Sequence, residues 1–131
     1  MKLHLDTTSG SNVITGHGNG FVAVNGMKIS NPLIVLPDKL INPWQIASCS
    51  ASASLSALAL CTADFTELLA LEPELVVFGS GAVFRFPDQR LMTTFAEAHI
   101  GFEVMDTPAA CRTYTVLMSE GRRIAAALLI G

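Results

Sequence analysis

Charge is scarce in this chain, cysteine is scarcer still, and no apolar run is long. Only 15% of the 131 residues are charged and the net charge is −3. A weakly acidic domain has no field to gather phosphate backbones, so nucleic-acid binding is excluded as an expected role. Half the residues are apolar, yet the longest apolar stretches, Leu75–Phe78 and Ile124–Ile130, are short. Both fall well below the ~20 residues that cross a bilayer as a helix, so no membrane span is expected. Cys49, Cys61 and Cys111 are odd in number and widely spaced, without a Cys-x-x-Cys pair. That pattern implies reduced thiols rather than a disulfide framework. His4, His17 and His99 show no ligand spacing with one another or with a cysteine, so neither a metal site nor a cofactor is expected. The opening MKLHLDTTSG carries Asp6 and lacks both the apolar core of a secretory signal and the Arg-rich, acid-free character of a transit peptide. A cytoplasmic location is the expectation.

What is present is enough apolar material for one domain of this length. Residues 1–16 are polar and rich in Ser, Thr, Gly and Asn, which reads as a flexible amino-terminal arm. Residues 17–131 then form a single α/β domain without internal repeats. Its most informative stretch is Leu75–Ala82, LVVFGSGA. A short unbroken apolar run ending in Gly-Ser-Gly reads as a strand buried on both faces that stops at a tight turn. A helical pattern opens at Pro87-Asp88 and continues to about His99, with Leu91, Phe95 and Ala98 on its apolar face. Strand, glycine loop, helix is the geometry in which α/β proteins place ligands, at the carboxyl end of a strand.

The flanking segments follow the same alternation. Phe21, Val22 and Val24 precede Asn25-Gly26, a pair that accepts the positive φ angles of a two-residue hairpin turn, and Met27–Ser30 returns. Leu33–Leu36 is a buried strand ended by Pro37, and Trp44–Ala47 reads as another strand. Ser48–Leu58 is a Ser/Ala-rich loop. Thr62 caps a helix with Phe65, Leu68, Leu69 and Leu71 on its apolar face, stopped by Pro73. Phe102–Met105 is a strand. Thr107-Pro108 reads as an N-cap followed by proline at the first helical position, opening a helix to about Ser119. Ile124–Ile130 closes the chain as a strand. Strands alternating with helices imply a mainly parallel or mixed sheet covered on both faces, with the early hairpin as an antiparallel addition.

Several pieces taken in order resemble one family: VNGMKISNPLIVLP, the Trp44 segment, EPELVVFGSG and AACRTYTVLMSEGRRIAAAL. They are similar to the small domain family that includes mitochondrial complex I assembly factor three and the adipogenesis-associated domain protein. The resemblance covers about residues 20–130. It implies a three-layer α/β single domain with a central mixed, mostly parallel sheet and an N-terminal β-hairpin, and it implies no established reaction. The eukaryotic members are associated with assembly of a respiratory complex. Thr115 departs from the pattern, where Asn after the aromatic residue is expected in many relatives.

The candidate ligand-binding residues are Gly79, Ser80, Gly81, Arg85, Cys111, Arg112 and Tyr114. The glycine loop offers backbone amides to an anion, although it has neither the Gly-Lys-Ser/Thr of a phosphate-binding loop nor a third dinucleotide glycine. Glycines after a buried strand serve more often to let the chain turn tightly beside a helix. Arg85 and Arg112 would grip a carboxylate or phosphate if they share one sheet edge, and otherwise pair with Asp88, Asp106 or Glu120. A helix start and Arg112 would favour the thiolate of Cys111, but no histidine is placed as its base, and a small buried apolar role suits it as well. Tyr114 and Trp44 suit core packing better than a binding platform. Arg122-Arg123 reads as a solvated charge pair. With no catalytic set, one function is favoured and a second is its alternative. The first is a non-enzymatic interaction or assembly protein with an unknown protein partner; the second is a protein or enzyme for a small anionic metabolite at Gly79–Gly81.

Overall fold

The computed structural model describes residues 11–46, 62–87 and 89–130. Cys49, Cys61, His4, Asp88 and the Ser48–Leu58 loop lie outside the described residues. The chain runs β1 (Ile14–Gly18), β2 (Phe21–Val24), β3 (Met27–Ile29), β4 (Leu33–Leu36), β5 (Lys39–Ile41), a 3-10 turn (Thr62–Phe65), α1 (Thr66–Leu71), β6 (Leu75–Gly79), α2 (Gln89–Glu97), β7 (Gly101–Met105), α3 (Thr107–Ser119) and β8 (Ile124–Leu128).

Among the described residues, five strands form the central sheet in the order β5-β4-β8-β6-β7. Its β6 pairs in parallel with both β7 and β8, whereas β4 is antiparallel to β8 and to β5. The sheet is therefore mixed, with parallel and antiparallel pairings equal in number. The crossover through α2 moves one strand outward from β6 to β7, and the crossover through α3 returns past β6 to β8. Crossovers of one hand running in opposite directions put their helices on opposite faces. The hairpin expected at Asn25-Gly26 is present, with φ of 53° and 84° at those residues, and β1 extends it to a three-stranded antiparallel sheet.

Side chains alternate across the central strands, so each face has its own core. Leu33, Val35, Val77, Ile124, Ala126 and Leu128 meet α3 and the small sheet through Tyr114, Cys111, Met118, Val22 and Val24. Ile34, Leu36, Val76, Phe78, Ala125 and Ala127 meet Trp44, Phe65, Leu68, Leu91 and Phe95. On this second face Phe65 stands edge-on to Trp44 at 5.2 Å and to Phe95 at 5.5 Å, geometry favoured by ring quadrupoles. The result is three layers: α1 and α2, the central sheet, then α3 with the small sheet.

Several elements differ from the sequence reading. Residues 44–46 are not a strand; Trp44 instead turns inward and its Nε1 donates to the Asp64 carbonyl at 2.8 Å. The helix expected from Thr62 begins as a 3-10 turn and becomes α-helical only at Thr66. The cap of α3 is Asp106 rather than Thr107, with its carboxylate accepting from the Ala109 N–H at 2.9 Å. Strand β5 has no signal of its own in three residues, and β1 opens at Ile14, inside the stretch read as an arm. Arg122-Arg123 is solvent-exposed as read, and each arginine also has an acidic partner: Arg122 bridges Glu74 and Arg123 bridges Asp38.

One residue clasps three parts of the fold. The Asn12 backbone N–H donates to Pro37 O and its Nδ2 to Leu36 O, both at 2.9 Å. Its Oδ1 accepts from Asn25 Nδ2 at 3.0 Å, and its carbonyl accepts from the Tyr114 hydroxyl at 2.8 Å. The central sheet, the hairpin turn and α3 are thus tied at one residue. Replacing Tyr114 by Phe leaves the Asn12 carbonyl without its partner and is expected to cost about 1–2 kcal/mol. Urea unfolding of the variant checks this; an unchanged midpoint would show that the clasp contributes nothing.

Candidate functional site

The carboxyl ends of β6, β7 and β8 lie side by side, and the chain leaves them through Ser80, Asp106 and Leu129. Thr107, the first residue of α3, joins all three. Its hydroxyl accepts from the Gly81 N–H at 2.8 Å and donates to Leu129 O at 2.7 Å, and its own N–H donates to Gly81 O at 2.8 Å. Gly79 is needed here because a Cβ would stand 2.8 Å from the Thr107 hydroxyl and 2.9 Å from Leu128. Thr107 presses against the strand end directly.

The amides that an anion would use are committed within the fold. Ser80 N–H donates to Met105 O at 2.9 Å, and Gly81 N–H is held by Thr107. At the start of α3, the Asp106 side chain takes the Ala109 N–H and its carbonyl the Ala110 N–H, while Pro108 has none. The Asp106 carboxylate also places negative charge where an anion would have to sit. Ser80 is buried, and its hydroxyl donates to Val83 O at 2.8 Å while accepting from the Arg85 N–H at 3.0 Å. This fixes the loop that follows β6. The loop displays Val83, Phe84 and Phe86, which are 58%, 49% and 63% exposed. Phe84 and Phe86 contact each other edge to face at 4.9 Å.

A cleft of about 510 Å³ opens beside this loop, between the β1–β2 turn and the start of α3. Phe21, Ala82, Pro108 and Ile130 supply its apolar wall, and His17 stands on the β1 side. The sequence singled out none of these as binding residues. A second groove, about 360 Å³, runs between β1 and α3 and is lined by His17, Cys111, Arg112 and Val116.

The seven sequence candidates therefore divide. Gly79, Ser80 and Gly81 are joint residues at the carboxyl edge. Arg85 belongs to the aromatic loop and Arg112 to the exposed side of α3, and none of these clefts is lined by both arginines. Cys111 is buried beneath α3, and burial pushes its thiol up to about 11 against the opposing pull of Arg112. Tyr114 is fully buried, its hydroxyl is held by Asn12, and burial raises its pKa far above the usual phenol range. The Thr115 hydroxyl bonds to its own helix, donating to Cys111 O at 3.0 Å. Among the described residues no group of three potential metal-ligating side chains converges, and no helix is long and apolar enough to cross a membrane.

Three layers around a mixed sheet, with a small antiparallel sheet set beside the last helix, define the class to which the molecule belongs. The family described as a protein of unknown function (DUF498/DUF598) matches residues 14–129, and the chain belongs to it. The chain is 32% identical over 129 residues to NADH dehydrogenase (ubiquinone) 1 alpha subcomplex assembly factor 3 of Xenopus tropicalis. That match covers 98% of this chain and 66% of the frog protein, just under two thirds of its length. An uncharacterized protein of Rhodobacter capsulatus is 31% identical over 121 residues, covering 92% of this chain and 86% of that one. The solution structure of a Xanthomonas campestris protein superposes with a TM-score of 0.76 at 31% identity, covering 92% of this chain and 86% of that one.

Two outcomes follow from this geometry. Thr107→Val keeps the shape but strands the Gly81 N–H and the Leu129 carbonyl, and is expected to cost about 2–4 kcal/mol. Thr107→Ser should recover most of it, as read by thermal or urea unfolding. For Cys111, alkylation of the native protein at pH 7 should be far slower than that of the unfolded chain. Because the folded thiol titrates near 11 and the unfolded one near 9, the unfolded state loses its proton first. Stability should then fall as pH rises through that window; rapid alkylation at neutral pH would contradict this burial.

Proposed function

We propose that the chain is a non-enzymatic interaction protein that assists assembly of a respiratory or other membrane complex by holding one of its protein subunits. The observation that carries the reading is the contrast at the carboxyl edge. The amides of Ser80, Gly81 and the first turn of α3 are all occupied internally, whereas Val83, Phe84 and Phe86 are presented to solvent on a loop pinned by Ser80. Clustered exposed aromatic side chains on a fixed loop suit an apolar surface of a partner. The anionic-metabolite reading needs donors at the same edge, and their occupation leaves it less support. The name of the Xenopus tropicalis relative points the same way.

Deleting the gene in the native host is expected to lower the amount of assembled complex several-fold on native gels, with wild-type protein restoring it. A Phe84→Ser/Phe86→Ser variant, altered only at exposed positions, should fold normally and fail to restore assembly. Normal assembly in the deletion strain would refute the role.

A further inference from the structure

Among the described residues, strand β7 stands at the outer edge of the central sheet with β6 as its only ladder partner. At its two ends the Gly101 N–H donates to Glu74 O at 3.3 Å, and Met105 O accepts from the Ser80 N–H at 2.9 Å. Parallel pairing uses alternate residues. Gly101, Glu103 and Met105 thus turn their backbone groups toward β6, and Phe102 and Val104 turn theirs outward. Among the described residues nothing bonds to those two N–H and two C=O groups. Of the other outer strands, β5 and β3 are only three residues long, and β1, five residues like β7, is interrupted by a bulge between Ile14 and Gly16, so β7 offers the longest regular edge for strand addition.

The side chains along this edge define what would fit. Phe102 and Val104 are half-buried against the aromatic core, where Phe102 stacks on Phe95 at 4.7 Å. Glu103 projects from the opposite face, is exposed, and forms no ion pair with another described residue. On the same face the Thr113 hydroxyl donates to Met105 Sδ at 3.4 Å, fixing the last residue of the strand to α3.

A second copy is a poor occupant. Antiparallel two-fold pairing that satisfies all four outward groups sets Phe102 opposite Val104 of the other copy and Glu103 opposite Glu103. Like charges directly opposed destabilise a strand pair, and a charge in an edge strand guards against self-association. The same carboxylate favours a strand carrying a cation.

We propose that β7 is a strand-addition site that receives an extended segment of a partner protein, with Lys or Arg opposite Glu103 and apolar residues opposite Phe102 and Val104. The proposal rests on the interaction-protein reading and adds the surface and the chemistry of the partner.

The test is titration of the isotope-labelled full chain with a capped seven-residue strand peptide bearing Lys between valines, and with its Glu-centred counterpart. Shifts are expected to concentrate on residues 101–105, with slowed exchange of the Phe102 and Val104 amides and a several-fold preference for the Lys peptide. Glu103→Lys should reverse the preference. Val104→Pro removes an outward N–H without breaking a bond to β6, and should weaken binding about tenfold. Shifts elsewhere, indifference to peptide charge, or equal binding by Val104→Pro would overturn the proposal. So would a concentration-dependent dimer of the wild type that Val104→Pro abolishes. Should Val104→Pro restore assembly in the deletion strain as the wild type does, the edge fails as the docking site while the assembly role stands. A deletion strain with normal assembly removes that role, whatever the peptides do.

Discussion

The hydroxyl of Thr107 is the point on which the carboxyl edge of this molecule depends. It accepts from the loop after β6 and donates to the chain leaving β8, while belonging to the helix that follows β7. Three elements far apart in sequence meet at one small polar group in a buried setting, where an unpaired donor or acceptor is costly. The absence of a side chain at Gly79 lets Thr107 come close enough to act. With the edge fixed this way, the loop carrying Phe84 and Phe86 has a stable base, and the outer strand β7 is held in register with β6.

A strand ending in Gly-Ser-Gly beside a helix start carries two physical meanings. In one, free amides and a helix dipole gather an anion. In the other, the glycines permit close packing and the amides are used up by neighbours. Here Met105, Thr107 and Asp106 occupy the donors and Asp106 adds a negative charge. The motif is common to both cases; the difference lies in residues some 25 positions further along, which only the fold brings near.

The two exposed features have complementary character. The aromatic loop at the carboxyl edge is apolar and fixed, suited to filling a pocket on another protein. The β7 edge offers backbone groups with a carboxylate at its centre, suited to reading an extended segment.

Much of the fold was legible along the chain because its signals are local. Asn25-Gly26 marks the hairpin by its backbone preference, the apolar runs at Leu33–Leu36, Leu75–Gly79 and Ile124–Leu128 mark buried strands, and Pro108 marks the start of the last helix. Trp44 was misread as part of a strand because its partners, Phe65 and the Asp64 carbonyl, are contributed by a distant segment. Strand β5 is too short to show a period, and its pairing with β4 creates it. Composition and local pattern by themselves determined one mixed α/β domain with few charges and no long apolar helix. Tertiary structure alone decided that the glycine loop is a joint, that Asn12 is the partner of the Tyr114 hydroxyl, and that Phe102 and Val104 turn away from β6. Those properties depend on which groups find partners across the fold, and hydrogen-bond satisfaction between distant residues leaves no local mark in a sequence.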